Sequence, residues 1–238
     1  MKRIDIKSLV VYEDDSFVAI NKPPFVSTLE DRNDPYNILS LYKEQFGDGF
    51  VCHRLDKETS GTLLIAKTEE AYRHAALQFE DRSVQKVYHA LVAGRFMDDV
   101  IKVDLPLKIG GSGKVRVDNR QGKEAETLFR TYQEFGHYTI VEAKPVTGRR
   151  HQIRVHLAYI EYPIVGDGQY GGEPVFLSSF KKKYKPSRER EERPLFDRVA
   201  LHAYSLEFKD LNGNTVKIES DYPKDIQMII GKLEKYDR

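Results

Sequence analysis

The spacing of short strand-like runs is the feature that most restricts how this chain of 238 residues can fold. The runs have the length and residue types of β-strands and occupy residues 17–21, 62–67, 87–93, 125–132, 138–143, 201–208 and 215–219. Many neighbouring runs are joined by connections too short for a parallel crossover. Asn212-Gly213 gives the strongest short hairpin signal, between the last two runs. The sequence therefore predicts a mixed α+β fold with a largely antiparallel central sheet.

Three helical segments are predicted beside these strands. Asp34-Pro35 is a favourable helix start, because Asp caps the helix and Pro suits its first position. Thr68-Glu69-Glu70 opens a second helix, since acidic side chains are favoured in the first turn. A short helix over residues 223–235 follows the hairpin. We expect these helices to flank the sheet.

The composition favours a reducing compartment. Cys52 is the only cysteine, so no disulfide can form within the chain. No apolar run approaches the length of a membrane span, and the first residues lack the apolar core of a signal peptide. We therefore expect a cytoplasmic monomer with no membrane partner.

The charge is nearly balanced overall but unevenly distributed. The formal net charge is +1. Residues 1–50 contain six basic and nine acidic groups, whereas residues 147–198 contain eleven basic and seven acidic groups. A polyanionic partner responds to the local distribution of charge rather than to its sum. The segment 147–198 is therefore the candidate surface for nucleic acid.

The sequence from His53 to Gly61, HRLDKETSG, contains the strongest functional signal. It places Asp56 on a connection at a strand end, where catalytic groups are often found, although Asp, Thr and Ser also cap ordinary turns. The stretch resembles the HRLDxxTSG signature of the RluA-type pseudouridine synthases. Those enzymes convert uridine to pseudouridine in structured RNA.

Five further stretches resemble the same family in the same order along the chain. They are YEDDSFVAINKP at 12–23, KVYHALVAG at 86–94, TGRRHQIRVHL at 147–157, PIVGDGQYG at 163–171 and LHA at 201–203. One departure is Arg150, where relatives usually carry Thr, Ser or Lys. This departure leaves the chemistry intact and bears on contacts with the RNA backbone.

The resemblance implies a fold and a substrate. The expected architecture is the pseudouridine synthase fold, a bent, largely antiparallel central sheet with flanking helices and a cleft across it. Residues 1–238 would form a single catalytic domain without the N-terminal RNA-binding accessory domain of many relatives. The substrate would be specific uridines in ribosomal RNA, transfer RNA or both, within a large-subunit or transfer RNA stem-loop.

The resemblance also implies three catalytic residues. Asp56 would be the essential carboxylate. Arg154 would pair with it and keep it ionised, which a neighbouring cation favours. Tyr88 would lie against the uracil ring. These three residues are the predicted catalytic set.

A second group of residues is predicted to bind RNA. Arg54 would occupy the space left when the target nucleotide is extruded from its stack. His53, Arg149, Arg150 and His151 would complete a basic site, with Arg150, His151 and Arg154 on one helical face. A basic loop insertion at residues 173–198 would add the lysines of its core, which are Lys181, Lys182, Lys183 and Lys185. That loop suits phosphate gripping and base stacking, or is a solvated insertion.

The reaction implied by the resemblance needs no cofactor and no metal. It breaks one glycosidic bond and forms another without redox change or net hydrolysis. Asp56 would either attack the anomeric carbon or remove the 2′ proton to give a glycal, and the sequence leaves both open. Two other functions remain as alternatives. One is a noncatalytic RNA-binding module on the same fold, and the other is a zinc-dependent hydrolase built from His151 and His156 with His53 or His202.

Overall fold

The computed structural model describes residues 4–30, 36–96, 100–184 and 191–237. It is a mixed α+β structure with a large, mostly antiparallel sheet, as predicted. The strands are β1 Val10–Glu13, β2 Phe17–Lys22, β3 Phe50–Val51, β4 Ser60–Ala66, β5 Gln85–Ala93, β6 Ile101–Asp104, β7 Leu107–Ile109, β8 Val115–Val117, β9 Glu126–Glu134, β10 Tyr138–Pro145, β11 Leu201–Lys209 and β12 Thr215–Glu219. The α-helices are α1 Ile38–Phe46, α2 Glu69–Glu80, α3 Gln152–Tyr159 and α4 Lys224–Tyr236. Short 3-10 helices cover Lys7–Leu9 and Leu177–Ser179.

The chain divides into two compact units. The first comprises Met1–Val87 and His202–Pro223, and the second comprises Tyr88–Leu201 and Lys224–Arg238. A single catalytic domain over residues 1–238 stays a prediction. None of the helices in the described residues is long and apolar enough to cross a membrane.

In the first unit, β2 and β4 form the centre of the sheet. β1 pairs antiparallel with β2, and β2 pairs antiparallel with β4 along its whole length. β4 is parallel to β11, which forms the predicted hairpin with β12. A buried apolar cluster fills the space between these strands and α2. Every residue of β4 is buried, which explains the unbroken apolar stretch from Leu63 to Ala66 in its second half.

The second unit is built on an antiparallel sheet in the order β5-β10-β9-β6. The separate hairpin of β7 and β8 packs its buried residues Leu107 and Val115 against Val155 of α3. This packing fixes the position of α3, the helix that carries most of the third family motif.

One predicted helix start is confirmed, and the other falls on residues outside the described ranges. α2 begins after Thr68, whose hydroxyl accepts the backbone N–H of Ala71, as the sequence predicted. α1 begins at Ile38, and its N-cap is Asn37, which forms a reciprocal capping box with Ser40. The predicted start at Asp34-Pro35 lies outside the described residues. Asn is as good a cap as Asp, so local propensity alone did not separate the two positions.

Candidate active site

Asp56 lies on the connection between β3 and β4, at the strand end where the sequence placed it. The residue before it, Leu55, is buried and held on both of its backbone groups by one side chain. The hydroxyl of Thr28 donates to the Leu55 carbonyl at 2.9 Å and accepts the Leu55 N–H at 3.1 Å. This reciprocal pair fixes the chain on the N-terminal side of the carboxylate.

Lys22 fixes the chain on the other side of Asp56. Its side chain is 0% exposed, and its ammonium group donates to the carbonyls of Pro23 at 3.0 Å, Val26 at 2.9 Å and Lys57 at 3.2 Å. A buried ammonium is costly unless it is satisfied in this way. The carbonyl of Asp56 itself accepts the N–H of Thr59 at 3.1 Å. Both sequence neighbours of Asp56 are therefore anchored by buried polar side chains, a role that sequence reasoning did not give to Lys22.

Ser60 and Gly61 of the Thr-Ser-Gly part of the motif begin β4 and pack this end of the Asp56 connection against β11. Nε2 of His202 donates to the Ser220 carbonyl at 3.0 Å, so its Nδ1 accepts the hydroxyl of Ser60 at 2.9 Å. Gly61 has φ +114°, and a Cβ there would lie 2.2 Å from the Ala203 carbonyl oxygen. Only glycine fits such an approach. The LHA element at 201–203 is therefore the structural partner of the motif that carries Asp56.

His53 and Arg54 differ in their surroundings. His53 accepts the N–H of Leu64 at 3.1 Å through Nε2, and its ring stacks on Phe79 with 5.0 Å between centroids. Burial, with the Lys86 ammonium as a second cause, lowers the pKa of His53 to about 3, so the imidazole is neutral near pH 7. Arg54 is exposed. RNA binding by either residue stays a prediction.

Arg154 lies on α3 in the second unit and is 8% exposed. Its guanidinium forms a bidentate pair with Asp167, at 2.7 and 2.8 Å, and donates to Gln169 at 3.2 Å. Its pairing with Asp56 stays a prediction. Sequence reasoning did not assign Asp167 a role, although the PIVGDGQYG stretch that contains it had been noted as a family element. Bidentate pairing fixes the orientation as well as the position of a guanidinium.

The side chain of Tyr170 contacts three basic residues, Arg154, Lys114 and His151. The guanidinium of Arg154 lies 5.0 Å from the Tyr170 ring centre, and the Lys114 ammonium lies 5.5 Å from it. The Tyr170 hydroxyl is 2.8 Å from Nδ1 of His151. Arg154, Lys114 and His151 therefore meet at the Tyr170 side chain, but the single helical face predicted for Arg150, His151 and Arg154 is not formed. α3 begins at Gln152, and His151 is its left-handed N-cap at φ 54°, so Arg150 precedes the helix.

The other conspicuous residues of the third motif build the turn before α3. Gln152 accepts the hydroxyl of Thr147 at 2.7 Å and the N–H of Arg149 at 3.0 Å. It donates to the Glu126 carbonyl at 2.8 Å and to the Thr127 hydroxyl at 2.9 Å. These bonds tie the start of α3 to β9. Arg149 and Arg150 are exposed beside this turn, and their RNA contacts stay a prediction.

Tyr88 and the basic loop belong to the second unit. Tyr88 is half-buried on β5, opposite Ala143 of β10, and its contact with uracil stays a prediction. In the loop, Lys181 is half-buried, whereas Lys182 and Lys183 are exposed. Lys185 lies outside the described residues.

The histidines of the zinc alternative are engaged in other bonds. The bonds of His53, His151 and His202 are described above. His156 accepts the Thr127 hydroxyl at 3.0 Å and donates to the Leu105 carbonyl at 3.0 Å. Burial lowers the pKa of His156. Within the described ranges, no group of three or more His, Cys, Asp or Glu side chains could hold a metal ion. These contacts give the histidines structural roles.

Residues 16–159 match the RNA pseudouridylate synthase family, a range that contains Asp56, Tyr88 and Arg154. The chain is 38% identical over 173 residues to ribosomal large subunit pseudouridine synthase C of Vibrio cholerae, covering 71% of this chain and 55% of that protein. It is 35% identical over 238 residues to the protein of the same name from Vibrio parahaemolyticus, covering 98% and 72%. The chain therefore belongs to the RNA pseudouridylate synthase family. It spans only about half the length of the Vibrio cholerae relative, 55%.

Two solved human structures share the fold. RNA pseudouridylate synthase domain containing 4 superposes with a TM-score of 0.72 at 23% identity, covering 96% of this chain and 94% of that one. RNA pseudouridylate synthase domain containing 1 gives a TM-score of 0.71 at 24% identity, covering 100% of both chains. The predicted fold class is confirmed.

Proposed function

We propose that this chain isomerises uridine to pseudouridine in large-subunit ribosomal RNA and that Asp56 is its catalytic residue. The anchored Asp56 connection is the observation that carries the proposal. Thr28 and Lys22 hold the residues on either side of Asp56, within a segment that matches the family. A reacting group that is already positioned before substrate binds lowers the entropic part of the barrier. The ribosomal substrate is supported by the names of the relatives.

The chemistry requires one carboxylate near the ribose. The bond between N1 of uracil and the anomeric carbon breaks, the base turns, and a bond from carbon 5 to the same carbon forms. The hydrogen on carbon 5 is lost and a proton is returned to N1, so atoms and electrons balance without a cofactor. Asp56 acts either as a nucleophile at the anomeric carbon or as the base that removes the 2′ proton.

Arg154 and Tyr88 complete the proposed catalytic set. The bidentate contact with Asp167 keeps the Arg154 guanidinium rigid and charged, as a residue that stabilises an anion should be. The half-buried ring of Tyr88 offers an aromatic face to a planar base. Both roles come from the family motifs, and the packing of each residue supports them.

Substitution of Asp56→Asn tests the proposal directly. Unmodified transcripts labelled with tritium at carbon 5 of uridine release tritium when pseudouridine forms. We expect the wild-type chain to release tritium from a large-subunit ribosomal transcript, and Asp56→Asn to release none while retaining RNA affinity. The exposed Asp48→Asn variant is the matched control and should behave as wild type.

Three outcomes would count against the proposal. Release at the wild-type rate by Asp56→Asn would remove Asp56 from catalysis. No release by the wild-type chain from ribosomal or transfer RNA, together with tight binding, would favour the noncatalytic RNA-binding module. Release from transfer RNA alone would overturn the ribosomal assignment and keep the reaction.

A further inference from the structure

The C-terminal helix carries a basic cluster outside residues 16–159, the range that matches the family model. Lys232, Lys235 and Tyr236 of α4 are three and four residues apart, the spacing that places side chains on one side of a helix. The ammonium of Lys235 lies 5.1 Å from the centre of the Tyr236 ring, and that of Lys232 lies 6.0 Å from it. Two cations of the helix therefore converge on one aromatic ring.

A third cation reaches the same ring from a segment about fifty residues away in sequence. The Lys181 ammonium lies 4.5 Å from the Tyr236 ring centre and 5.6 Å from that of Tyr184. Three side chains, Lys181, Lys232 and Lys235, thus surround Tyr236, and we call them the Tyr236 lysine cluster. A solvated run of lysines would spread its charges apart, whereas these three are brought together by tertiary structure.

The segment that carries Lys181 is held in place by its own contacts. Phe180 is buried and packs edge-on against Tyr138, with 6.1 Å between ring centres. The Ser179 hydroxyl lies 3.0 Å from the Tyr138 hydroxyl, and the N–H of Lys181 donates to Leu177 at 3.0 Å. A backbone bridge between Val175 and Phe196 ties the segment together further out. Lys181 is therefore positioned by the fold.

The positive charges of the cluster are not neutralised by ion pairs within the described residues. In the part of the chain that the structure describes, none of the three ammonium groups forms an ion pair, although Glu234 and Asp237 are close in sequence. Glu234 instead accepts a bond from Gln133, and Asp237 accepts bonds from His137. A hydrogen bond from Lys235, with the charges of the three lysines, lowers the pKa of the Tyr236 phenol.

We propose that the Tyr236 lysine cluster is a binding site for the phosphate backbone of the RNA substrate. The proposal rests on the proposed function, which supplies RNA as the partner. Three like charges gathered at one ring repel each other, and a polyanion relieves that repulsion while releasing its own counterions. The ring contributes by holding ammonium groups over its face. The lysines lie beyond residues 16–159, and the sequence predicted RNA binding for Lys181 of the loop but for neither Lys232 nor Lys235.

The salt dependence of RNA binding tests the site. We would measure the affinity of an unmodified large-subunit ribosomal transcript against salt for the wild-type chain and for a Lys181→Gln, Lys232→Gln, Lys235→Gln variant. Each lost phosphate contact reduces the slope of log affinity against log salt by roughly 0.7–0.9. We therefore expect the slope to fall by roughly 2–3 in the triple Gln variant.

Two matched variants distinguish loss of the proposed site from a general loss of positive charge and from misfolding. Lys43→Gln, Lys209→Gln and Lys217→Gln remove the same charge from exposed lysines elsewhere and should leave the slope close to wild type. Replacing the three cluster lysines with Arg keeps the charge and should also keep the slope. A slope in the cluster Gln variant equal to that of the control would overturn the proposal. Absence of tritium release by the wild-type chain would instead count against the proposed function.

Discussion

At the scale of single residues, the position of Asp56 depends on a buried lysine that holds the backbone beside it. Lys22 bonds to the Lys57 carbonyl, one residue beyond Asp56, and to two carbonyls of its own turn. We expect Lys22→Met to lower kcat about 10–100-fold while leaving KM nearly unchanged, because small displacements of a reacting group are costly. Single-turnover tritium release over a range of RNA concentrations would measure both quantities.

A loss of stability must be separated from this positional effect. Ile229→Ala in α4 removes a buried side chain and should cost about 2–5 kcal/mol of unfolding free energy without touching the Asp56 connection. If that variant loses kcat as Lys22→Met does, Lys22 is structural only. Thr28→Val, which frees the Leu55 backbone, should resemble Lys22→Met.

The sequence identified the proposed catalytic residue more readily than the residues that position it. Asp56 stands in a compact motif, and its place on a strand connection followed from the apolar runs around it. The bidentate partner of Arg154 did not follow, because Asp167 is thirteen residues away and nothing local marks it as a partner. Lys22 was overlooked for a similar reason, since complete burial of a lysine is rare and has no local signature.

At the scale of elements, Gly61 brings the start of β4, which follows the Asp56 connection, against β11. We expect Gly61→Ala to cost roughly 2–4 kcal/mol of unfolding free energy, because its φ is positive and the new Cβ would meet backbone atoms of Ala203. Gly231→Ala is the matched control, since it lies in α4 with open space around it and should gain up to about 1 kcal/mol. Urea unfolding of both variants checks the signs, and equal stability in Gly61→Ala and wild type would refute the close approach.

Elements were predicted well where side-chain pattern and local chemistry agreed. β12 occupies the predicted residues, and α2 begins after the predicted cap. β6 and β7 were not predicted, because three or four residues are too few to show periodicity. The turn before α3 depends on tertiary bonds from Gln152 to Glu126 and Thr127 of β9, which local sequence does not report.

At the scale of the whole molecule, charge and titration depend on packing rather than on residue type. His53 was predicted to bind RNA with other basic groups, yet its surroundings keep it neutral near pH 7. The lysines around Tyr236 became a cluster only through contact between two distant segments. The sequence located the basic segment 147–198, which contains Lys181, but Lys232 and Lys235 lie outside it and join the cluster through the fold.

The neutral state of His53 predicts a dependence of stability on pH. Its pKa is about 3 in the folded chain, against about 6.5 when unfolded, so between these values only the unfolded state binds the proton. Stability is therefore retained above pH 6.5 and falls as the pH drops towards 3. From pH 7 to pH 5 this group should remove about 1–2 kcal/mol of unfolding free energy.

Substitution of His53→Gln isolates that contribution, because Gln can still accept the Leu64 N–H but does not titrate. We expect the wild-type chain to lose about 1–2 kcal/mol more than His53→Gln between pH 7 and pH 5 in urea unfolding. The stability difference between Gly231→Ala and wild type should stay constant over the same range. If the gap between wild type and His53→Gln also stays constant, His53 protonates near its ordinary pKa in the folded chain, and it is then a cation suited to the RNA phosphate contact that its motif predicted.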